Sequence, residues 1–325
     1  MGFNAWVFED RIKPLEYKEV GVPSYVNDDF VGLNVQAAAL NRRDFWITQG
    51  LYPDIPENIP AVLGSDCCGT LDGNEYIVCP NINWGEAYFP AENYGILGLQ
   101  EYGTFAEKIY VRKSKLYPKP SHLSSEEAAC LPLAGLTAFR ALFSRSQLKK
   151  GQNVLISGVG GGVALIACQF AVAVGANVYV TSGKEEKIER AKKLGAIDGV
   201  SYKDTDAMQD LAKSVGGFEV VIDSAGGKGF NQLLKMCRLG ANVSIYGGTK
   251  GSIKGVAVPN LFFKQISIHG STMGSDEEFG KMVKLVNEHK IVPVVHQIRP
   301  MREGKETIED LGRNTHFGKY VLKAN

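Results

Sequence analysis

The chain has 325 residues, with 36 Lys+Arg against 35 Asp+Glu, a formal net charge of +1 and 44% hydrophobic residues. That length is more than one hydrophobic core normally fills, so two domains are expected. The near-neutral charge excludes a nucleic-acid binder that works by broad phosphate neutralisation, and the absence of long acidic or basic tails excludes a disordered interaction module.

Met1-Gly2-Phe3-Asn4-Ala5-Trp6 has neither the basic segment nor the apolar stretch of a secretory signal, so a cytoplasmic setting is expected. In that setting Cys67, Cys68, Cys79, Cys130, Cys168 and Cys237, which form no CxxC pair, are expected as reduced, small buried residues. Up to about residue 125 the chain is rich in proline, glycine and short β-type runs and reads as a compact all-β unit. Val31 to Ala38 alternates like a half-buried strand, Phe105 to Val111 reads as another, and Asp72-Gly73 between them is a strong hairpin signal. Ser124 and Glu127 then form a capping box that opens a helix.

From there strands and helices alternate. Strands are expected at 153–157, 177–181, 199–202, 218–223, 241–246 and 266–271, with Glu185 to Leu194 a helix closed by Gly195. Such alternation implies a parallel sheet covered on both faces, an α/β domain. Gly151 to Gly183 carries no charged residue; its interrupting glycines point to a buried strand, helix and strand rather than a membrane span. A last helix over Glu277 to His289 precedes strands at Val292 to Val295 and Tyr320 to Leu322, which are expected to return to the first domain.

The strongest motif is Val154-Leu155-Ile156-Ser157-Gly158-Val159-Gly160-Gly161-Gly162-Val163-Ala164. A glycine loop between strand and helix lets the backbone approach a pyrophosphate, and the helix N-terminus supplies N–H groups and the positive end of the helix dipole. Gly160, Gly161, Gly162 and Val163 are therefore candidate dinucleotide contacts; a tight βα turn without ligand is the alternative. At the end of the next strand an acid would bind the 2′-hydroxyl of NAD, but the chain reads Thr181-Ser182-Gly183-Lys184-Glu185-Glu186-Lys187. Hydroxyls and lysines suit the 2′-phosphate of NADP; alternatively Lys184 and Lys187 are only the solvated face of the following helix.

The chain resembles the medium-chain dehydrogenases/reductases over nearly its full length. Ala39 to Asp44, Gln49-Gly50-Leu51-Tyr52-Pro53, Leu131 to Ala138, the glycine loop and Gly195-Ala196 with Tyr202 are similar to the quinone-oxidoreductase and enoyl-reductase branches. Asn81 to Gly85, Ile96 to Gly98 and Ser271 to Ser275 resemble zinc-type-alcohol-dehydrogenase-like proteins. The resemblance implies a GroES-like β domain over 1–125, a Rossmann domain over 126–270 and a return over 271–325. It adds Thr137, Tyr202, Gly247, Gly248, Thr249 and Ser271 to the cofactor contacts. It places the active site in a cleft between the domains, at the carboxyl ends of the parallel strands. Tyr52 takes the position of the family's proton-donating tyrosine, with Asn41 beside it to orient a substrate carbonyl; packing of the cleft wall is the other role open to Tyr52.

Departures are equally informative. The family's zinc-ligand positions are matched here by Asn41, Ser65 and Leu133, which cannot form a nitrogen/sulfur ligand set, and the four-cysteine zinc lobe is missing. The glycine fingerprint carries Val159 and Ala164 where smaller residues are usual. Asp44 is expected to pair with Arg42 or Arg43, and the scattered histidines form no metal-binding spacing. The expected protein is thus an NADPH-dependent, zinc-free oxidoreductase that reduces a quinone, enone or related carbonyl and acts as a homodimer, without nucleic-acid or membrane partners. A zinc-type alcohol dehydrogenase and a non-enzymatic NADPH-binding protein remain the alternatives.

Overall fold

The computed structural model describes residues 2–9, 13, 15–52, 60–86 and 88–324. Pro53 of the Tyr52 motif lies outside the described residues. The chain divides into two compact units, Met1–Leu136 with Gly274–Asn325, and Thr137–Met273.

The first unit begins with β1 (Phe3–Phe8), β2 (Glu16–Val20), β3 (Phe30–Ala39), α1 (Arg42–Thr48), β4 (Ala61–Val62), β5 (Asp66–Leu71) and β6 (Asn74–Val78). A short pair, β7 (Asn81–Ile82) and β8 (Gly95–Ile96), is followed by β9 (Lys108–Arg112), β10 (Leu116–Pro118) and α2 (Ser125–Ala129). β3 is the hub: Phe30 to Asn34 pairs antiparallel with β9, and Asn34 to Ala39 with β5, across a register break between Val35 and Ala37. Its inward residues Leu33 and Val35 pack with Trp6, Val78, Phe105 and Ile109 in one buried apolar cluster.

The β5–β6 hairpin turns at Asp72 and Gly73, whose φ values of 50° and 78° are those a two-residue hairpin turn requires. Ser124 caps α2 reciprocally with Glu127, as the sequence predicts. The unit is not all-β, however. α1 lies within the stretch expected to be all-β, and Asn41 with Asp44 three residues on is the start signal for it that the β-type texture hides. The strand expected from Phe105 begins only at Lys108, because the Phe105 backbone is bonded to Trp6 and Leu63 instead.

Helix α3 (Pro132–Phe139) crosses the boundary between the units and continues into a π-helical turn over Arg140–Arg145. The second unit then alternates β11 (Asn153–Ile156), α4 (Gly162–Ala173), β12 (Asn177–Ser182), α5 (Glu185–Lys193), β13 (Asp198–Ser201), α6 (Thr205–Ser214) and β14 (Phe218–Asp223). It closes with α7 (Phe230–Met236), β15 (Cys237–Ile245), α8 (Val258–Lys264) and β16 (Ser267–Gly270). The strands form one parallel sheet in the order β13-β12-β11-β14-β15-β16. Strand order reverses between β11 and β14, and that switch point opens a crevice beyond their carboxyl ends. The uncharged stretch is β11, α4 and β12; among the described residues no helix is long and apolar enough to cross a membrane.

The tail supplies α9 (Asp276–His289), β17 (Val295–Pro300), α10 (Gly304–Gly312) and β18 (Lys319–Lys323). β18 pairs antiparallel with β3 and parallel with β17, so the return completes the sheet of the first unit. The strand expected at Val292 to Val295 starts instead at Val295, since Pro293 has no N–H to give a ladder.

Candidate functional site

The glycine loop joins the end of β11 to α4, and β12 holds it in place. Gly158 N–H donates to Thr181 Oγ1 at 3.1 Å, Val159 N–H donates to Thr181 O at 2.8 Å, and Ser182 Oγ donates to Val159 O at 3.4 Å. Thr181 and Ser182 are buried, so both hydroxyls brace the loop rather than stand open at the strand end, where the sequence places them. The N-cap of α4 is Gly161, which has no side chain to cap the helix, and a Cβ there would meet nothing within 4 Å. Gly162 and Val163 begin the helix. Gly160 has a φ of +138°, and a Cβ on it would lie 2.9 Å from Lys187 Cδ and 3.1 Å from Nζ. The result is an open cradle of backbone N–H groups with a lysine side chain along one wall. Burial of the Lys187 ammonium and the nearby Lys184 charge lower its pKa, with the Glu186 carboxylate opposing. Tyr202, half exposed, stands over Gly183, where a Cβ would collide with its hydroxyl.

Further along the carboxyl edge, Gly247 fits against Ser224 O, 2.8 Å from where its Cβ would be, and Thr249 N–H donates to the same oxygen at 3.3 Å. Gly248 beside them has open space. Ser271 N–H donates to Ile245 O at 2.8 Å, while its hydroxyl is buried without a partner. Asp223, at the end of β14, is missing from the sequence-based candidates. One carboxyl oxygen accepts from Gly226 N–H at 2.8 Å and the other is buried without a partner. Burial raises the Asp223 pKa against the hydrogen bonds that lower it. Thr137 is buried in α3. Orphaned polar atoms, an uncapped helix start and a cradle that a Cβ would fill fit a dinucleotide well.

In the first unit, sheet register builds a second constellation. Ala39 stands opposite both Asp66 and Val321, so Asn41, Asp66 and Lys319 converge at the end of β3. Asn41 Nδ2 donates to Asp66 Oδ2 at 2.9 Å, and Lys319 Nζ donates to Asn41 Oδ1 at 2.7 Å and to Asp66 Oδ2 at 2.6 Å. Leu133 N–H donates to Asp66 Oδ1 at 2.6 Å. All three polar side chains are buried. Next to them, the buried Arg43 guanidinium donates to Ser65 Oγ and, at 2.8 Å, to Leu97 O. It also lies 5.1 Å from the ring centroid of half-buried Tyr52.

The expected ion pair of Asp44 with Arg42 or Arg43 is replaced by a helix cap: Asp44 Oδ2 accepts from Asn41 N–H at 2.7 Å. Burial pushes the Asp44 carboxyl up to about 6, with the Arg43 charge opposing. Lys319 and Asp66 do not stand out in the sequence, and Arg43 does so only as a partner for Asp44. Only sheet register brings Lys319 to residues so distant in the chain.

Asn41 and Leu133 thus do meet at Asp66, but as an amide and a backbone N–H, while the Ser65 hydroxyl is bonded to Arg43 and Leu97 O, a set that does not fit zinc. The thiol of Cys130, electrostatically coupled to Lys319 and Asp66, is pushed up to about 12 by burial and donates to Glu126 O. Among the described residues no group of three or more His, Cys, Asp or Glu could hold a metal ion.

The chain is similar to several known proteins. A family model described as zinc-binding dehydrogenase matches residues 162–288. A zinc-type alcohol dehydrogenase-like protein of Leptosphaeria maculans is 33% identical over 95% of this chain and 94% of its own length. One of Schizosaccharomyces pombe is 35% identical over 97% and 95%. Quinone oxidoreductase of Rattus norvegicus is 27% identical over 89% and 88%. The crystal structure of an NAD-dependent alcohol dehydrogenase superposes with a TM-score of 0.92 at 33% identity, covering 99% of this chain and 100% of that one.

Proposed function

The chain belongs to the medium-chain dehydrogenase/reductase superfamily, and from that premise we propose that this oxidoreductase is specific for NADPH, works without zinc, and reduces an enone, a quinone or a related carbonyl. The observation that carries the reading is the end of β12. No acid ends that strand to read a ribose 2′-hydroxyl, and beside it Lys187 lies against Gly160 and Tyr202 against Gly183. A charged donor and a phenol suit a phosphate dianion better than a neutral hydroxyl.

The bound nicotinamide supplies the hydride. The chain does the rest. The α4 N-terminus with Gly160, Gly161, Gly162 and Val163, braced by Thr181 and Ser182, would hold the pyrophosphate. Gly247, Gly248, Thr249, Ser271 and Thr137 would line the remainder of the cofactor, with the Ser271 hydroxyl available for a hydrogen bond. Asn41 donates an amide N–H to the substrate carbonyl oxygen, where negative charge develops as hydride arrives. Tyr52 gives its phenolic proton to the resulting enolate. The donor chemistry around Asp66, where Asn41 offers an amide and Leu133 a backbone N–H, supports the reading without zinc.

The deciding experiment follows NADPH consumption across a panel of quinones, enones and aldehydes. Turnover with at least one of the first two classes is expected, faster with NADPH than with NADH. Turnover on alcohols with NAD and no reduction of any enone or quinone would establish a second reading. The superposed NAD-dependent alcohol dehydrogenase favours that alternative.

A further inference from the structure

Lys319 has no part in the mechanism above, yet it is among the most deeply placed charges of the first unit, at 4% exposure. Its ammonium stands between Asn41 Oδ1 and Asp66 Oδ2 at 2.7 and 2.6 Å. Asp66 also receives Asn41 Nδ2 at 2.9 Å and the Leu133 N–H at 2.6 Å, so every oxygen of the cluster already faces a donor. A metal ion placed among these oxygens would have to expel the ammonium, and it would find an oxygen-only set in return.

The same bonds dictate what Asn41 can offer. A free carboxamide can turn over and present either its oxygen or its nitrogen. Here the oxygen is held by Lys319, which can only donate, and one N–H is held by Asp66, which as a carboxylate can only accept. The second amide N–H is what remains.

We infer that the Lys319 ammonium is the resident cation of this oxygen-lined site, in the place a metal ion would need, and that it is a positioning residue that fixes Asn41 as a hydrogen-bond donor. The second half rests on the reading that Asn41 meets the substrate. Unlike a metal ion, the ammonium offers no open coordination position. Substrate oxygen is then met by the amide alone, which selects ligands with an acceptor at that point, such as a carbonyl or quinone oxygen.

Two arms test this on the full-length protein. In the first, wild type and Asp66→Asn are dialysed against cobalt(II) chloride, and bound metal is read from metal content and visible absorption. Neither should retain cobalt. About one cobalt per chain in wild type, absent from Asp66→Asn, would overturn the resident cation. In the second, kcat and KM for an enone are compared among wild type, Lys319→Met, Asn41→Ala and the double variant. Lys319→Met should lower kcat ~10-fold or more with KM for NADPH unchanged, and should add nothing in the Asn41→Ala background. Losses that multiply would mean that Lys319 does not act through Asn41. Because Lys319→Met leaves Asp66 buried without its cation, the paired Asp66→Asn/Lys319→Met variant replaces it in the same cycle should it fail to fold. A wild type that consumes no NADPH on any substrate sinks the proposed function and leaves the cobalt arm to judge the cation alone.

Discussion

Lys187→Ala removes an ammonium that lies against Gly160 and is expected to weaken NADPH while leaving NADH nearly unchanged. A charge-assisted contact to phosphate is worth about 1.5–3 kcal/mol, so the loss should be roughly tenfold or more in Kd, read by titration of each cofactor. Equal loss for both would refute the 2′-phosphate role. Tyr52→Phe keeps the ring under the Arg43 guanidinium and removes only the hydroxyl. Turnover on an enone should fall ~100-fold with cofactor affinity intact; unchanged turnover would leave Tyr52 a packing residue. Asp44 offers a pH test. Its carboxyl is raised from 3.8 to about 6 by full burial, so folded protein favours the protonated form. The stabilisation is complete below pH ~4 and is lost as pH rises through ~6. Asp44→Asn mimics the protonated acid and can still accept from Asn41 N–H. Relative to it, wild type should lose about 2–3 kcal/mol of unfolding free energy between pH 4 and 7, measured in urea; parallel pH curves would disprove this. At this scale, types were legible and partners were not. Asn41 and Tyr52 stand out in their motifs, whereas Lys319 looks like any strand-edge lysine until β18 is laid beside β3.

The glycine loop makes a sharper test at the scale of an element. Gly161 has an ordinary extended backbone and open space where a Cβ would go. Gly161→Ala should therefore fold with an unchanged Tm, yet lose both NADPH and NADH, because the methyl occupies the approach to the pyrophosphate. Retained affinity would move the cofactor elsewhere. Gly160→Ala is a poorer probe, since its positive φ adds strain to any loss of binding. The loop and its flanking strands were readable because strands buried on both faces leave long uncharged runs. α1 was not, since seven residues are too few for a helical period to show, and β17 was displaced by a single proline. Thr181 and Ser182 show the remaining limit. A hydroxyl at a strand end serves a ligand or the neighbouring loop equally well, and only the three-dimensional path of the Gly158–Gly160 backbone decides.

For the whole molecule, the second unit leaves β16 as an edge strand, with Ile268 exposed on it and Phe262 and Phe263 exposed on the preceding helix, at 56% and 74%. An apolar edge of this kind invites pairing with its symmetry mate, and a homodimer is expected in sedimentation at micromolar concentration. A monomer there would refute it. The alternation of strands and helices announced the parallel sheet well before any single residue could. The discontinuity of the first unit has a different consequence, in time rather than space. Thr137 to Met273 is continuous and can close its sheet while later residues are still being synthesised. The first unit cannot, because β18 fills the place beside β3 and carries Lys319 to Asn41. A nascent chain would therefore hold a formed nucleotide cradle before it holds the residues proposed to act on substrate. Until Lys319 emerges, Asp66 has no ammonium to neutralise it, and that half-made sheet is where a chaperone would find its purchase.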